Sequence, residues 1–544
     1  MTESEDGILD VLVFAAAIMA AGYAFDAAGL RIRFWLLAGL AVLAAACLRY
    51  ALAFRRPRLP DVPRYLVALA MFAFALWLAS PAYLPVTNGP DVVHHLQLIH
   101  VISATGRLPH DASQYPYLLE MMNYTPGSHV LASAIGAWLR MDPVFVVYPL
   151  AAGAAAIKAA LLYALAQTML GSTWRAAVQA LAAPVLALVP VYFLGGFVQF
   201  FFFGQVLSEA FAVGMLFALT SWVVSPSRRH LWIASACGVG VVLSWPIWIV
   251  PCAMTAAVAA LLGASRWHER GAVVAMAAGP ALLFGLVHQA LHPGAASIVT
   301  STGAVTAPSI DAFGLGFLVA AAGGVVLGVR ERAALPVVAF LAATLLLAAA
   351  LACLAAGGGT GRFYMAFKMM YLAMLPAAVL GAVALARAAD VIAMLLRNVR
   401  VRPAAAGIVS AMLPVLVAVP LLRGRVPTHR MRGSLSAPAR DVALRARERV
   451  PPSCIDYFSS YWLTGYWLHL DVLANPRLSD RMRQETFDFP DVAAKWIEGR
   501  GLPYAIVEDM GAIPREIRAD MSPMYQAGSF VLVRNARPAV CDAR

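Results

Sequence analysis

Runs of about 17–25 apolar residues recur through most of this chain, and they constrain its fold more than any other feature. That is the length of helix needed to cross the hydrocarbon core of a bilayer. Breaks between runs give candidate spans near 8–29, 33–54, 65–84, 143–168, 175–193, 206–225, 231–246, 248–265, 271–292, 313–329, 334–356, 364–386 and 404–422, about 13 transmembrane helices in all. Composition agrees: of 544 residues 61% are hydrophobic and 13% charged, against roughly 25% charged in soluble domains. The sequence predicts an α-helical polytopic membrane protein.

Its net charge of +12 is almost all arginine, since Lys158, Lys368 and Lys495 are the three lysines. In a multi-pass chain such a surplus marks cytoplasmic loops, so we expect no nucleic-acid partner. Arg55, Arg56, Arg58 and Arg64 share one connection. Arg175, then Arg228 and Arg229, then Arg266 and Arg270, then Arg330 and Arg332, then Arg397, Arg400 and Arg402 follow on every second one. Those connections are expected inside, with 85–142, 194–205, 293–312 and 357–363 outside. Arg31 and Arg33, in a short loop, are the exception. An odd number of spans leaves the N-terminus cytoplasmic and the C-terminus extracytoplasmic. The acidic start "MTESEDGILD" lacks the basic n-region of a cleaved signal peptide, so the first run is expected to be a retained helix.

Near residue 423 the chemistry changes. Residues 424–544 hold 14 of the 29 acids, and "CIDYF", "YAIVED" and "FVLVRN" read as strands among helical stretches such as "FPDVAAKWIEGRG" and "IPREIRADM". This predicts a transmembrane domain over 1–423 and a small extracytoplasmic α/β domain over 424–544. Cys454 and Cys541 flank that domain, whereas Cys47, Cys237, Cys252 and Cys353 fall in spans. The outer pair is either a disulfide, worth about 4–5 kcal/mol by chain entropy, or two free thiols.

The loop 85–142 is the other polar concentration. "VTNGPDVVHHLQLIHVISATGRLPH" places an acid, four histidines and an arginine between apolar walls. Val92, Leu96, Ile99 and Ile102 form a stripe at helical spacing, suited to a helix on the membrane surface. "YTPGSHVLASAIGAWLR" then predicts a helix of about 14 residues entered through Pro126-Gly127, too short to span. Asp91 suits a helix N-cap, and His95, one turn on along the same face, is placed to pair with it. His94, His100, His110 and His129 are packing residues or polar contacts. An Asp/His set also suits a divalent cation, but no spacing here matches a metal motif and no metal ligand is assigned.

The order of these parts resembles the GT-C superfamily of membrane glycosyltransferases. The likeness rests on Asp91 in "GPDVVHHLQLI", "GRLP" at Gly106–Pro109, "YTPGSHVL" at Tyr124–Leu131, and "SSYWLTGYWL" at Ser459–Leu468. It covers most of the chain in architecture and only these patches in sequence. Two features depart from the family: three spans precede the loop rather than one, and a single Asp with histidines replaces the usual acid pair. The resemblance implies a polyprenyl-phosphate-linked sugar as donor, a glycan, lipid or protein acceptor, Asp91 as catalytic base, and the outer face of a bacterial cytoplasmic (inner) membrane.

Cations for the departing phosphate are found in "GGGTGRFYMAFKMMYL". Arg362 lies at the interface, and Lys368 about 9 Å along the helix shares a face with Tyr364 and Tyr371. An intramembrane cation is a functional candidate by default, against the option that Lys368 snorkels to headgroups. Tyr124, His94, His95 and His129 join the expected substrate-binding set, as do Gln205 and Glu209 of "GGFVQFFFFGQVLSEA", whose amides and aromatics suit a sugar or prenyl surface. Lys158 is expected to partner a buried carbonyl or make a second anion contact. His288 and His292, at i, i+4, suit a metal or the donor phosphate, although a lone helical His pair is more often structural, and "SWPIWIVP" reads as a tight outer hairpin with its tryptophans at the interface. Membrane glycosyl transfer competes with a polysaccharide polymerase or ligase and with a transporter or lipid flippase. Transporters favour related halves around a midplane site, and neither appears here.

Overall fold

A computed structural model describes residues 7–51, 62–80, 91–110, 112–188, 201–264, 266–300, 303, 305–357, 363–398, 402–421, 435–478 and 480–541. Among them nine helices are long and apolar enough to cross a membrane, from Gly7–Ala27 to Pro403–Leu421, with Phe34–Leu43 and Leu315–Gly328 as shorter apolar ones. The chain is a multi-pass membrane protein.

These segments are helical because hydrocarbon offers no partner to a backbone amide, and a helix satisfies all of them within the segment. Phe203–Val224 is enclosed along its whole length, whereas Trp267–Leu291 presents Leu282, Leu283 and Leu286 outward. Tyr364–Asn398 has 35 residues, about 52 Å of helix against a core of about 30 Å, so its arginine-bearing end projects beyond the bilayer. The expected span at 175–193 is broken instead: Thr173 caps Trp174–Ala180, and a second short helix, Ala182–Ala187, follows the turn at Leu181.

The arginine-bearing connections meet at one end of the bundle. Arg387 pairs with Glu331 at 2.8 Å, Arg332 donates to the Leu262 carbonyl at 2.6 Å, and Arg175 lies 3.7 Å from Asp390. The opposite end carries the loop from Asp91 onward. There Arg107 donates to the Gly29 carbonyl and the Ile32 amide to that of Gly106, so the short Arg31/Arg33 loop belongs with the polar loop.

The C-terminal domain caps the loop end; the expected boundary at 423 lies outside the described residues. Its sheet has the order β1-β2-β4-β3, with β1 Ile455–Phe458, β2 Tyr504–Val507, β3 Met521–Ala527 and β4 Phe530–Asn535. β1 and β2 pair in parallel, and the other two pairings are antiparallel. The three strands expected from the sequence are β1, β2 and β4. β3 escaped notice because it is an exposed edge strand with Pro523 at a bulge. Buried Asp456 accepts from Lys495 Nζ at 2.7 Å, Trp496 Nε1 at 2.8 Å and the Leu502 amide at 2.8 Å, tying β1 to the helix Phe489–Ile497. Cys454 and Cys541 form a disulfide, Cα atoms 5.7 Å apart, which closes the domain on itself.

Candidate functional site

The helix Asp91–Thr105 buries the expected stripe completely, but Val93, Leu98, His95 and Gln97 on its other faces are buried too. It therefore does not lie on a membrane surface. The helix Gly127–Leu139 packs beneath it and the C-terminal domain covers it. Gly106 ends it in the left-handed region, φ 63°. "YTPG" works by close approach: a Cβ on Gly127 would stand 2.6 Å from Leu243 Cβ and 2.7 Å from its carbonyl oxygen. Only glycine lets this short helix seat against Arg228–Ser244.

Asp91 is the first residue of its helix, not the residue before it. Among the described residues no group donates a hydrogen bond to its carboxylate, so the capping role is not what occupies it. Around it stand Lys368, Glu120, Arg477, Tyr124 and Tyr364, all within electrostatic reach. Burial holds the Asp91 carboxyl above the usual carboxylate range, Lys368 opposing most strongly, with Glu120 raising it further and Arg477 lowering it.

Lys368 does not snorkel. Its side chain is buried, and its ammonium lies 3.9 Å from the ring centre of Phe202, 4.5 Å from Trp245 and 4.6 Å from Tyr364. Three rings hold the cation in place while leaving its charge without a carboxylate partner among the described residues. Tyr371, on the same helix face, packs edge-on against Phe202. Arg362 lies outside the described residues.

His95 and His129 share a hydrogen bond at 2.8 Å, one ring donating to the other, and Tyr124 and Phe203 pack edge-on against His95. Burial lowers the pKa of both, that of His129 to about 3, so the pair is neutral and fixes the floor beneath Tyr124. His94 faces the C-terminal domain, sharing a 2.9 Å hydrogen bond with Tyr466 and lying 3.6 Å from Glu120. Burial likewise depresses it.

Gln205 and Glu209 are both buried on the helix Phe203–Val224. Glu209 is ion-paired to Lys158 inside the bundle, both side chains enclosed, so Lys158 meets a carboxylate, a partner the sequence did not suggest. His288 and His292 form a separate group: Tyr23 and His288 share a hydrogen bond, His292 stacks on His110, and His110 bonds Asp26 at 2.6 Å. Among the described residues no three His, Cys, Asp or Glu side chains are grouped to hold a metal ion.

Three site residues were not read from the sequence. Trp245, expected at the interface, is buried against Lys368 and Tyr124. Glu120 supplies a second acid, 29 positions after Asp91, with nothing in its local pattern to mark it. Arg477 arrives from the C-terminal domain: Nη1 donates to Glu120 at 2.6 Å and Nε to Gln97 Oε1 at 3.2 Å.

No family model matches the sequence, and no curated protein matches it. Among solved structures the chain is similar to the oligosaccharyltransferase AglB of Archaeoglobus fulgidus, in complex with an inhibitory peptide and a dolichol-phosphate, at 12% identity over 82% of this chain and 69% of that one, TM-score 0.46. It is also similar to apo ArnT of Cupriavidus metallidurans, at 14% identity over 87% of this chain and 97% of that one, TM-score 0.44. At these identities no residue role transfers.

Proposed function

We propose that the protein is a membrane glycosyltransferase of the GT-C type. It moves a sugar from a polyprenyl-phosphate donor to a hydroxyl of a glycan, lipid or protein acceptor at the outer face of a bacterial cytoplasmic membrane. The observation that carries this is the closeness of a buried carboxylate, Asp91, and a ring-caged ammonium, Lys368, neither of which has a hydrogen-bonded or ion-paired partner among the described residues, beneath a folded loop at one end of a membrane bundle. Glycosyl transfer needs those two groups. Asp91 accepts the proton of the acceptor hydroxyl as its oxygen bonds the anomeric carbon. The bond from that carbon to the phosphate oxygen breaks, and the phosphate leaves with the electron pair. Lys368, with Arg362 as the second candidate, meets the charge that develops there. The aromatic cage suits a prenyl chain arriving from the hydrocarbon, which explains a phosphate-binding cation so close to the membrane. Tyr124 and Tyr364 offer hydroxyls to the sugar.

The test is turnover of radiolabelled polyprenyl-phosphate sugars by purified protein, comparing wild type with Asp91→Asn. We expect transfer by wild type and a loss of about 10²-fold or more in the variant. Equal rates remove Asp91 as base. A solute crossing liposomes with no donor consumed replaces the enzyme by a transporter.

A further inference from the structure

Arg477 carries more chemistry than its two hydrogen bonds use. Its side chain is 6% exposed, although it comes from the segment after the π-helical turn Leu468–Val472 of the outer domain. Nε and Nη1 are committed to Gln97 and Glu120, which fixes the plane of the guanidinium. Nη2 is buried with no partner among the described residues, and so is Nε2 of the same Gln97. A buried donor left without a partner is costly, so the bare Nη2 is unusual for a contact that only holds domains together. Asp91, His94 and His95 all feel the charge of Arg477. Nη2 is thus the one guanidinium nitrogen without a protein partner among the described residues.

Resting on the glycosyl-transfer assignment above, we infer that Arg477 is the second cation of the site and binds a phosphoryl oxygen of the lipid-borne donor through Nη2, with Gln97 Nε2 beside it. The fork geometry of a guanidinium matches phosphate better than a lone ammonium does. Lys368 approaches from the bundle and Arg477 from the outer domain, so the anion site is complete only when that domain is seated on the loop. Glu120 has a defined part: it orients Arg477 and offsets its charge until the donor arrives.

The experiment measures binding of a polyprenyl phosphate and of the uncharged polyprenol to the full-length protein in detergent micelles. Wild type is compared with Arg477→Gln, Arg477→Lys and Glu120→Gln, with melting temperature recorded for each. Arg477→Gln is expected to weaken the phosphate by about tenfold or more and leave the polyprenol unchanged. Arg477→Lys, which keeps the charge without the fork, should lose less. Glu120→Gln, which breaks the same interdomain contact but frees the cation, should bind the phosphate as well as wild type or better. If Arg477→Gln and Glu120→Gln lose affinity equally, or neither does, Arg477 is a domain clasp and the inference is overturned. It is overturned also if anionic phospholipid displaces the polyprenyl phosphate at equal concentration. A wild-type protein that binds phosphate and polyprenol alike instead refutes the donor assignment itself.

Discussion

Replacing Glu209 by glutamine takes from the enclosed Lys158 ammonium the carboxylate it is ion-paired to. The Lys158 side chain is 0% exposed and that of Glu209 3%, so solvent does not screen the pair. Breaking such a pair from one side costs about 3–5 kcal/mol, because the remaining charge stays desolvated. Lys158→Met alone strands the carboxylate and should cost a similar amount. The double variant Lys158→Met/Glu209→Leu removes both charges and fills the space with apolar groups of like volume, a change that is often neutral or stabilising. We therefore expect each single variant to lower the midpoint of detergent-driven unfolding strongly and the double variant to recover most of the loss. Donor turnover, measured on the same preparations, should track folded fraction, with the double variant near wild type. Two results refute the reasoning. Additive losses in the double variant mean that the charges do not compensate each other. A stable double variant without turnover means that Glu209 acts on substrate and the pair is part of the site.

Removing the caged cation by Lys368→Met should lower kcat by about 10²–10³ with little effect on folding, read by single-turnover transfer. A loss confined to stability would make the cage purely structural. The outer domain should also loosen as pH rises. His100 lies 3.2 Å from Asp471 and 3.6 Å from Asp142, and those carboxylates raise its pKa against the opposing effect of burial. A raised folded-state pKa contributes stability that is full below the unfolded value and lost as pH climbs through the folded one. Asp471, pushed up to about 6 by burial, is ionised at neutral pH and is left without its cation as His100 deprotonates. Protection factors for amide exchange in 97–105 and 468–472 should fall above pH 6.5 in wild type and be low throughout in His100→Ala; wild-type protection factors that do not change with pH refute this.

The sequence by itself determined the class of protein and where its helices run. Hydrophobic length is a local property, and a bilayer enforces it span by span; hence the agreement along most of the chain. The strands β1, β2 and β4 were legible for the same reason, their apolar alternation lying within a few residues. Only the tertiary structure decided which polar groups meet. Arg477 lies 357 positions from Glu120 and Glu209 lies 51 from Lys158. Which way each helix is rotated, and what packs against it, depends on every neighbour at once. A charge written in one span is therefore no guide to the partner it finds: Glu209, grouped with sugar-binding amides by its surroundings in sequence, is paired with a lysine, while Arg477, unremarkable in its own segment, reaches Glu120 and Gln97 of the polar loop.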